Sequence, residues 1–242
     1  MSTAFAQAID QNTVGPAAWR TSVVGLEPLK RAPFDIRLCP TAVWGLQSGL
    51  VKGAAISRTG APEEIEAADL EEIDVACFAY AAAILESNTV GVERLWVPIS
   101  FVTLATQRAR ERLLRLTDKA RDNMREILMI EICELEAVPP SRLMEVAGLV
   151  RGLCLGVVAR ARPSRAALEA VRGCGLGGVS VDGPRLGLEM SDPAARLNAF
   201  AAATRDIGAD RLVHDLPSTG MIDLAAAAGF SPATVAATAP EV

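Results

Sequence analysis

The chain has 242 residues, 50% of them hydrophobic and 22% charged, with a formal net charge of −5. At roughly 150 residues per domain, this length suits one large domain or two small ones, and the apolar content excludes a mainly disordered chain. Lys and Arg number 24 against 29 Asp and Glu, which excludes nucleic-acid binding by bulk charge, because the phosphate backbone rewards the opposite balance. The longest apolar stretches, such as 75–85, fall short of the roughly 20 residues of a spanning helix. The N-terminus also lacks a basic region followed by an apolar core. We therefore expect a cytoplasmic protein with neither a membrane nor a nucleic-acid partner.

Taken in chain order, residues 1–30 mix Ser, Thr, Gln, Gly and Pro around single apolar positions, with Gly15-Pro16 as a breaker. They read as an irregular N-terminal segment ahead of one domain over 31–242. From 34 onward, short β-branched or apolar runs alternate with helical patterns. Strands are expected at 34–39, 50–56, 94–99, 127–133, 154–159, 177–181 and 211–214, with a weaker one at 234–237. Helices are expected at 62–86, 103–123, 140–153, 164–173, 192–207 and 218–229. Pro62 suits a first helical turn, Ser164 and Ser218 suit N-caps, and Ser191-Asp192-Pro193 is a cap followed by a first-turn proline. Gly173, Gly208 and Gly229 mark helix ends. Eight strands with six or more helices point to a (β/α)8 TIM-barrel-like α/β fold. The link 40–49 is too short for a parallel crossover, so the first strand should run antiparallel to the second.

The five cysteines are scattered with no C-x-x-C pair and read as buried thiols. A single histidine, His214, rules out a multi-histidine zinc site and reads as a strand-end residue. Glu63, Glu64, Glu66, Asp69, Glu71, Glu72 and Asp74 form one acidic helix face, expected to be solvated and favoured by the helix dipole. The Arg-rich segment 108–125 has interleaved acids, for example Glu111 before Arg115, and should likewise be a solvated face.

The strand ends in order read Phe34-Asp35-Ile36-Arg37-Leu38-Cys39-Pro40, Val51-Lys52-Gly53-Ala54-Ala55-Ile56-Ser57-Arg58, Val97-Pro98-Ile99-Ser100 and Met129-Ile130-Glu131-Ile132-Cys133-Glu134. Further on come Val179-Ser180-Val181-Asp182 and the segment 213–219. This succession resembles the EAL domain of cyclic di-GMP phosphodiesterases over about 34 to the C-terminus. The resemblance implies an EAL-type barrel with an antiparallel first strand. Active members of that family hold two divalent cations on carboxylates and an asparagine, and these metals activate the attacking water.

Carried over residue by residue, the Glu of the name-giving motif falls on Ala54, the metal-binding Asn on Pro98, two aspartates on Arg162 and Pro163, and the lysine on Ser180. Glu131 matches a metal ligand, Asp215 replaces a glutamate, and Arg58 matches the arginine that contacts the dinucleotide. Arg58, Glu131, Arg162, Ser180 and Asp215 are thus what the resemblance leaves of the pocket. The expectation from this set is no catalytic residue, no metal, no cofactor and no enzymatic activity, with cyclic di-GMP binding disfavoured. Arg162 or Arg160 is expected to pair with Glu131 in place of a metal. The leading expectation is a signalling protein that acts through an unidentified protein partner, in cyclic di-GMP-related, motility or transcription control. A homodimer is a further expectation. The alternatives are a cyclic di-GMP receptor resting on Arg58, a residual phosphodiesterase, and an enzyme of other chemistry using Cys133, His214 and Asp215.

Overall fold

The computed structural model of the chain describes residues 36–59, 65–87, 93–116 and 121–236. Eight strands close into a barrel in sequence order: β1 (Arg37–Gly45), β2 (Leu50–Thr59), β3 (Arg94–Ser100), β4 (Leu128–Cys133), β5 (Gly156–Arg160), β6 (Gly178–Asp182), β7 (Asp210–Leu216) and β8 (Pro232–Val235). β1 is antiparallel to both β2 and β8, and every other neighbouring pair is parallel. The hairpin between β1 and β2 leaves only residues 46–49 outside the strands, which forces the reversal. Helices α1 (Ala67–Ser87), α2 (Phe101–Ala105), α3 (Gln107–Leu116), α4 (Arg121–Ile127), α5 (Pro140–Val150), α6 (Arg165–Val171), α7 (Gly183–Leu186), α8 (Pro193–Ala203) and α9 (Ile222–Ala227) fill the connections.

The first strand, expected to end at 39, continues over Arg37–Gly45 and runs straight through Pro40, while residues 34 and 35 lie outside the described residues. Pro40 sits opposite Ile56 of β2, whereas β8 joins β1 only at Trp44 and Gly45. Over most of its length β1 is therefore an edge toward β8, where a missing backbone donor is tolerated. The single helix expected over 103–123 is broken. Thr106 takes an extended conformation (φ −88°, ψ 121°) that ends α2, and α3 starts afresh behind it. Ser164 and Asp192 cap their helices, accepting from the backbone N–H of Ala167 and Ala195. Ser218 makes no side-chain cap, because a 3-10 turn at Thr219–Met221 precedes α9. Pro62 and the expected boundary at 31 lie outside the described residues. Among the described residues, no helix is long and apolar enough to cross a membrane.

Apolar side chains divide between two layers. One lies between strands and helices. The other fills the barrel with Val43, Ala55, Trp96, Met129, Val158 and Leu212. Strand side chains alternate with period two, so on the parallel strands the residue two places beyond each of these also faces inward, nearer the C-terminal end, and on the antiparallel β1 it is Thr41, two places before Val43. At Gly178 a Cβ would come within 2.1 Å of the Asp210 carbonyl oxygen, so β6 and β7 can approach this closely only with glycine there.

Candidate functional site

Two residues past the apolar plug, the strands deliver polar groups: Glu131 from β4, Arg160 from β5 and His214 from β7. β6 adds Ser180 and Asp182. These groups converge at the C-terminal mouth of the barrel, the end at which barrels of this class carry their sites. The mouth holds a cavity of about 250 Å³ whose lining includes Arg58, Glu134, Arg160, Arg185, His214 and Asp215.

Glu131 is the centre of this arrangement and is 1% exposed. Its Oε1 lies 2.7 Å from His214 Nε2 and its Oε2 accepts from Arg160 Nη1 at 3.4 Å. Burial pushes the carboxyl up, but the facing His214 and Arg160 outweigh it and bring its pKa down to about 2. Arg160 continues the chain of charge, donating from Nε to Asp182 Oδ1 at 2.9 Å. Arg185, on α7, closes on the other oxygen of Asp182 at 3.3 Å. Buried charges persist only when paired in this way, since an isolated ion would lose its hydration without compensation.

Arg58 is anchored from the opposite side. Its Nη2 donates to Asp74 Oδ1 and to the Pro98 carbonyl, both at 2.5 Å. Asp74, with no exposed surface, also accepts from the Ser100 backbone N–H at 2.9 Å and the Thr103 hydroxyl at 2.6 Å. Burial raises the Asp74 carboxyl above its ordinary value, and Arg58, Thr103 and Ser100 act against that rise. The expectation of a fully solvated acidic face on α1 is corrected at this residue: Glu72 pairs outward with Arg112, whereas Asp74 turns inward.

Backbone strain gathers at the same rim. Glu134 and Asp215 have φ of 55° and 54°, the left-handed region that costs an L residue roughly 1–2 kcal/mol. Such outliers cluster at functional sites. Neither carboxylate has an ion-pair partner among the described residues. Cys133 lines the cavity, yet burial and the nearby Glu131 push its thiol up to about 12, so it is no thiolate nucleophile at neutral pH.

Of the residues singled out from sequence, Arg58 and Asp215 line the mouth, and Glu131 and Ser180 lie beneath it, Ser180 with no exposed surface. Arg162 does not belong to the site. It is more than half exposed and pairs with Glu136, while Arg160 is the residue that meets Glu131. Ala54, on which the name-giving glutamate of the resemblance falls, packs outward, and Ala55 faces the cavity. Asp74, Asp182, Arg185 and His214 were given no role in the pocket by the alignment. Counting by twos from Ser180 and from Leu212 would have placed Asp182 and His214 there.

The pair of divalent cations implied by the resemblance would need free oxygen donors at the mouth. Both oxygens of Glu131 are engaged by His214 and Arg160, and both of Asp182 by Arg160 and Arg185. Pro98 and Ala55 carry no side-chain oxygen. Among the described residues, no group of three or more His, Cys, Asp or Glu is placed to hold a metal ion. A hard cation needs about six oxygen ligands, so this donor set does not fit a pair of them as it stands.

No protein-family model matches the chain, and no curated protein sequence does. Solved structures do. A standalone EAL protein from Vibrio cholerae O395, in its c-di-GMP-bound form, is 15% identical with a TM-score of 0.65, over 85% of this chain and 91% of that one. The PaMucR phosphodiesterase in complex with c-di-GMP is 11% identical with a TM-score of 0.61, over 83% and 89%. The Bacillus subtilis YkuI protein, with an EAL domain in complex with substrate c-di-GMP and calcium, is 13% identical with a TM-score of 0.65, over 91% and 56%. The fold is therefore that of EAL domains, as the strand-end resemblance implied. The expectation that the chain is not an enzyme is overturned. Its structural neighbours include a phosphodiesterase and a protein bound to c-di-GMP as substrate, and the lack of a ready-made carboxylate cluster does not demonstrate lost activity. Nothing supports the expectation that cyclic di-GMP binding is disfavoured.

Proposed function

We propose that the barrel mouth binds cyclic di-GMP and that the chain serves cyclic di-GMP signalling. One observation carries this reading. Three guanidinium groups, Arg58, Arg160 and Arg185, share a single cavity with two carboxylates, Glu134 and Asp215, that have no ion-pair partner among the described residues. A guanine nucleotide is complementary to that mixture. Arginine serves a phosphate oxygen or the O6 and N7 edge of guanine, and a carboxylate accepts from guanine N1–H and the exocyclic amine. The cavity is smaller than the roughly 300–1,000 Å³ of drug-sized pockets, so it takes one phosphodiester with its flanking base while the remainder lies across the rim.

Arg160 and Arg58 are already held rigid by Asp182, Glu131 and Asp74, so little side-chain freedom is lost when they meet a phosphate. Arg185 is half-exposed and, among the described residues, paired only with Asp182, which leaves it able to turn toward the ligand. Because Arg160, Arg185 and His214 already engage Glu131 and Asp182, the reading needs no divalent ion for binding.

The test is calorimetric titration of the full chain with cyclic di-GMP in chelator and then with magnesium, the recovered nucleotide being chromatographed so that binding and turnover are read separately. Binding in chelator is expected, weakened about tenfold or more by Arg185→Ala, as loss of a charge-assisted hydrogen bond implies. No heat at high micromolar nucleotide under either condition would overturn the reading.

A further inference from the structure

The strands that build the mouth also place there one group that binding alone does not use. His214, the single histidine of the chain, meets Glu131 through Nε2 at 2.7 Å. Its other ring nitrogen, Nδ1, has no hydrogen-bond partner among the described residues, and it is not one of the side-chain atoms sealed from solvent without a partner. Nδ1 therefore opens on the cavity that His214 lines.

An ionised carboxylate can only accept, so the bond to Glu131 puts the proton on Nε2 and leaves a lone pair on Nδ1 of the neutral ring. A carboxylate that fixes one tautomer and orients the ring prepares an imidazole to take a proton with its free nitrogen. Glu131 sets the neighbourhood as well. Its second oxygen takes Arg160, so imidazole and guanidinium stand side by side on one carboxylate. Asp182, in register with His214 on the adjacent strand, holds both Arg160 and Arg185. A phosphodiester seated on these two cations lies beside the free nitrogen.

We propose that His214 is the general base for metal-independent hydrolysis of the bound cyclic dinucleotide, with Glu131 as its positioning residue. The inference rests on the binding proposed above. Water gives a proton to Nδ1 while its oxygen bonds to phosphorus, the P–O3′ bond breaks, and the departing oxygen takes a proton from solvent at the open rim. One water is consumed, the ring opens to a linear dinucleotide with a terminal 5′-phosphate, and the imidazolium returns its proton to solvent. Arg160 and Arg185 face the negative charge that grows on the phosphoryl oxygens.

The test is incubation of the untagged full chain with cyclic di-GMP in chelator and ¹⁸O-labelled water, the product being followed by chromatography and mass spectrometry. A linear dinucleotide carrying ¹⁸O on its phosphate is expected. His214→Gln keeps a donor for Glu131 but has no free base, and it should slow the reaction about 100-fold or more, while calorimetry shows nucleotide affinity close to that of the native chain. Nucleotide that binds in chelator and returns intact would overturn this inference and leave the binding reading standing, whereas absence of binding would overturn both. Equal rates in the native chain and His214→Gln would overturn it too. With a single histidine in the chain, ¹⁵N-histidine spectra report this ring alone. Nε2 protonated and Nδ1 bare in the neutral ring is expected, and the reverse tautomer would overturn the assignment even where the variant fails to fold.

Discussion

The substitution Glu131→Gln isolates the charge at the centre of the mouth while keeping its shape. With the pKa held at about 2 against an ordinary 4.5, the ionised carboxylate contributes about 3 kcal/mol to folding, at 1.36 kcal/mol per unit of displacement. The sign follows from the direction of the displacement. A depressed folded-state value means the contribution is fully present above about pH 4.5 and is lost as pH falls through about 2. Removing one member of a buried pair costs roughly 3–5 kcal/mol. Here the lower end applies, because Arg160 is one-quarter exposed and keeps Asp182. Urea unfolding of the native chain and Glu131→Gln, measured from pH 7 down to pH 2.5, should show a gap of about 3 kcal/mol at neutral pH. That gap narrows progressively below pH 4.5, while contributions of other carboxylates cancel in the difference. A gap that stays constant with pH, or no gap at pH 7, would refute the reasoning.

Replacing Arg160 by Met should cost about 3 kcal/mol in denaturant unfolding, because it strips the buried Glu131 of a cation. Arg162→Ala should change stability by less than about 0.5 kcal/mol, since its pair with Glu136 is exposed. Asp74→Asn should destabilise by about 2 kcal/mol or more, measured by the same unfolding, because Arg58 is left as a buried cation facing a neutral amide. Glu134→Gly should raise thermal stability by about 1 kcal/mol, since glycine has no penalty at φ 55°. A decrease there would show that side-chain contacts of Glu134 outweigh the strain.

The barrel was legible because each buried strand is a short apolar run between helical patterns, and because the link 40–49 is too short for a parallel crossover. The end of β1 was misread because Pro40 looks like a terminator. Only pairing shows that its missing donor lies away from the β8 contacts. The break at Thr106 was hidden because the apolar spacing of α2 continues into α3. At the site, the alignment of strand ends found Glu131 and Arg58, and it proposed Arg160 or Arg162 as partner without deciding between them. The end of the strand decides it: β5 stops at Arg160, two places after Val158 and facing inward, whereas Arg162, of the same parity, lies past the sheet and pairs with Glu136. Asp74 was lost among Glu71 and Glu72, for nothing in a run of acids marks the one that turns toward Arg58. The pairing of Glu131 with His214 spans 83 positions along the chain, and closure of the barrel makes it.

The most direct test of the mouth is a crystal structure of the full chain soaked with cyclic di-GMP and manganese, with anomalous scattering recorded at the metal edge. We predict a phosphate against Arg160 and Arg185, Glu131 still bonded to His214, and no anomalous peak within the mouth. Anomalous peaks ligated by Glu131, with His214 and Arg160 displaced from it, would contradict the paired-charge description of this site.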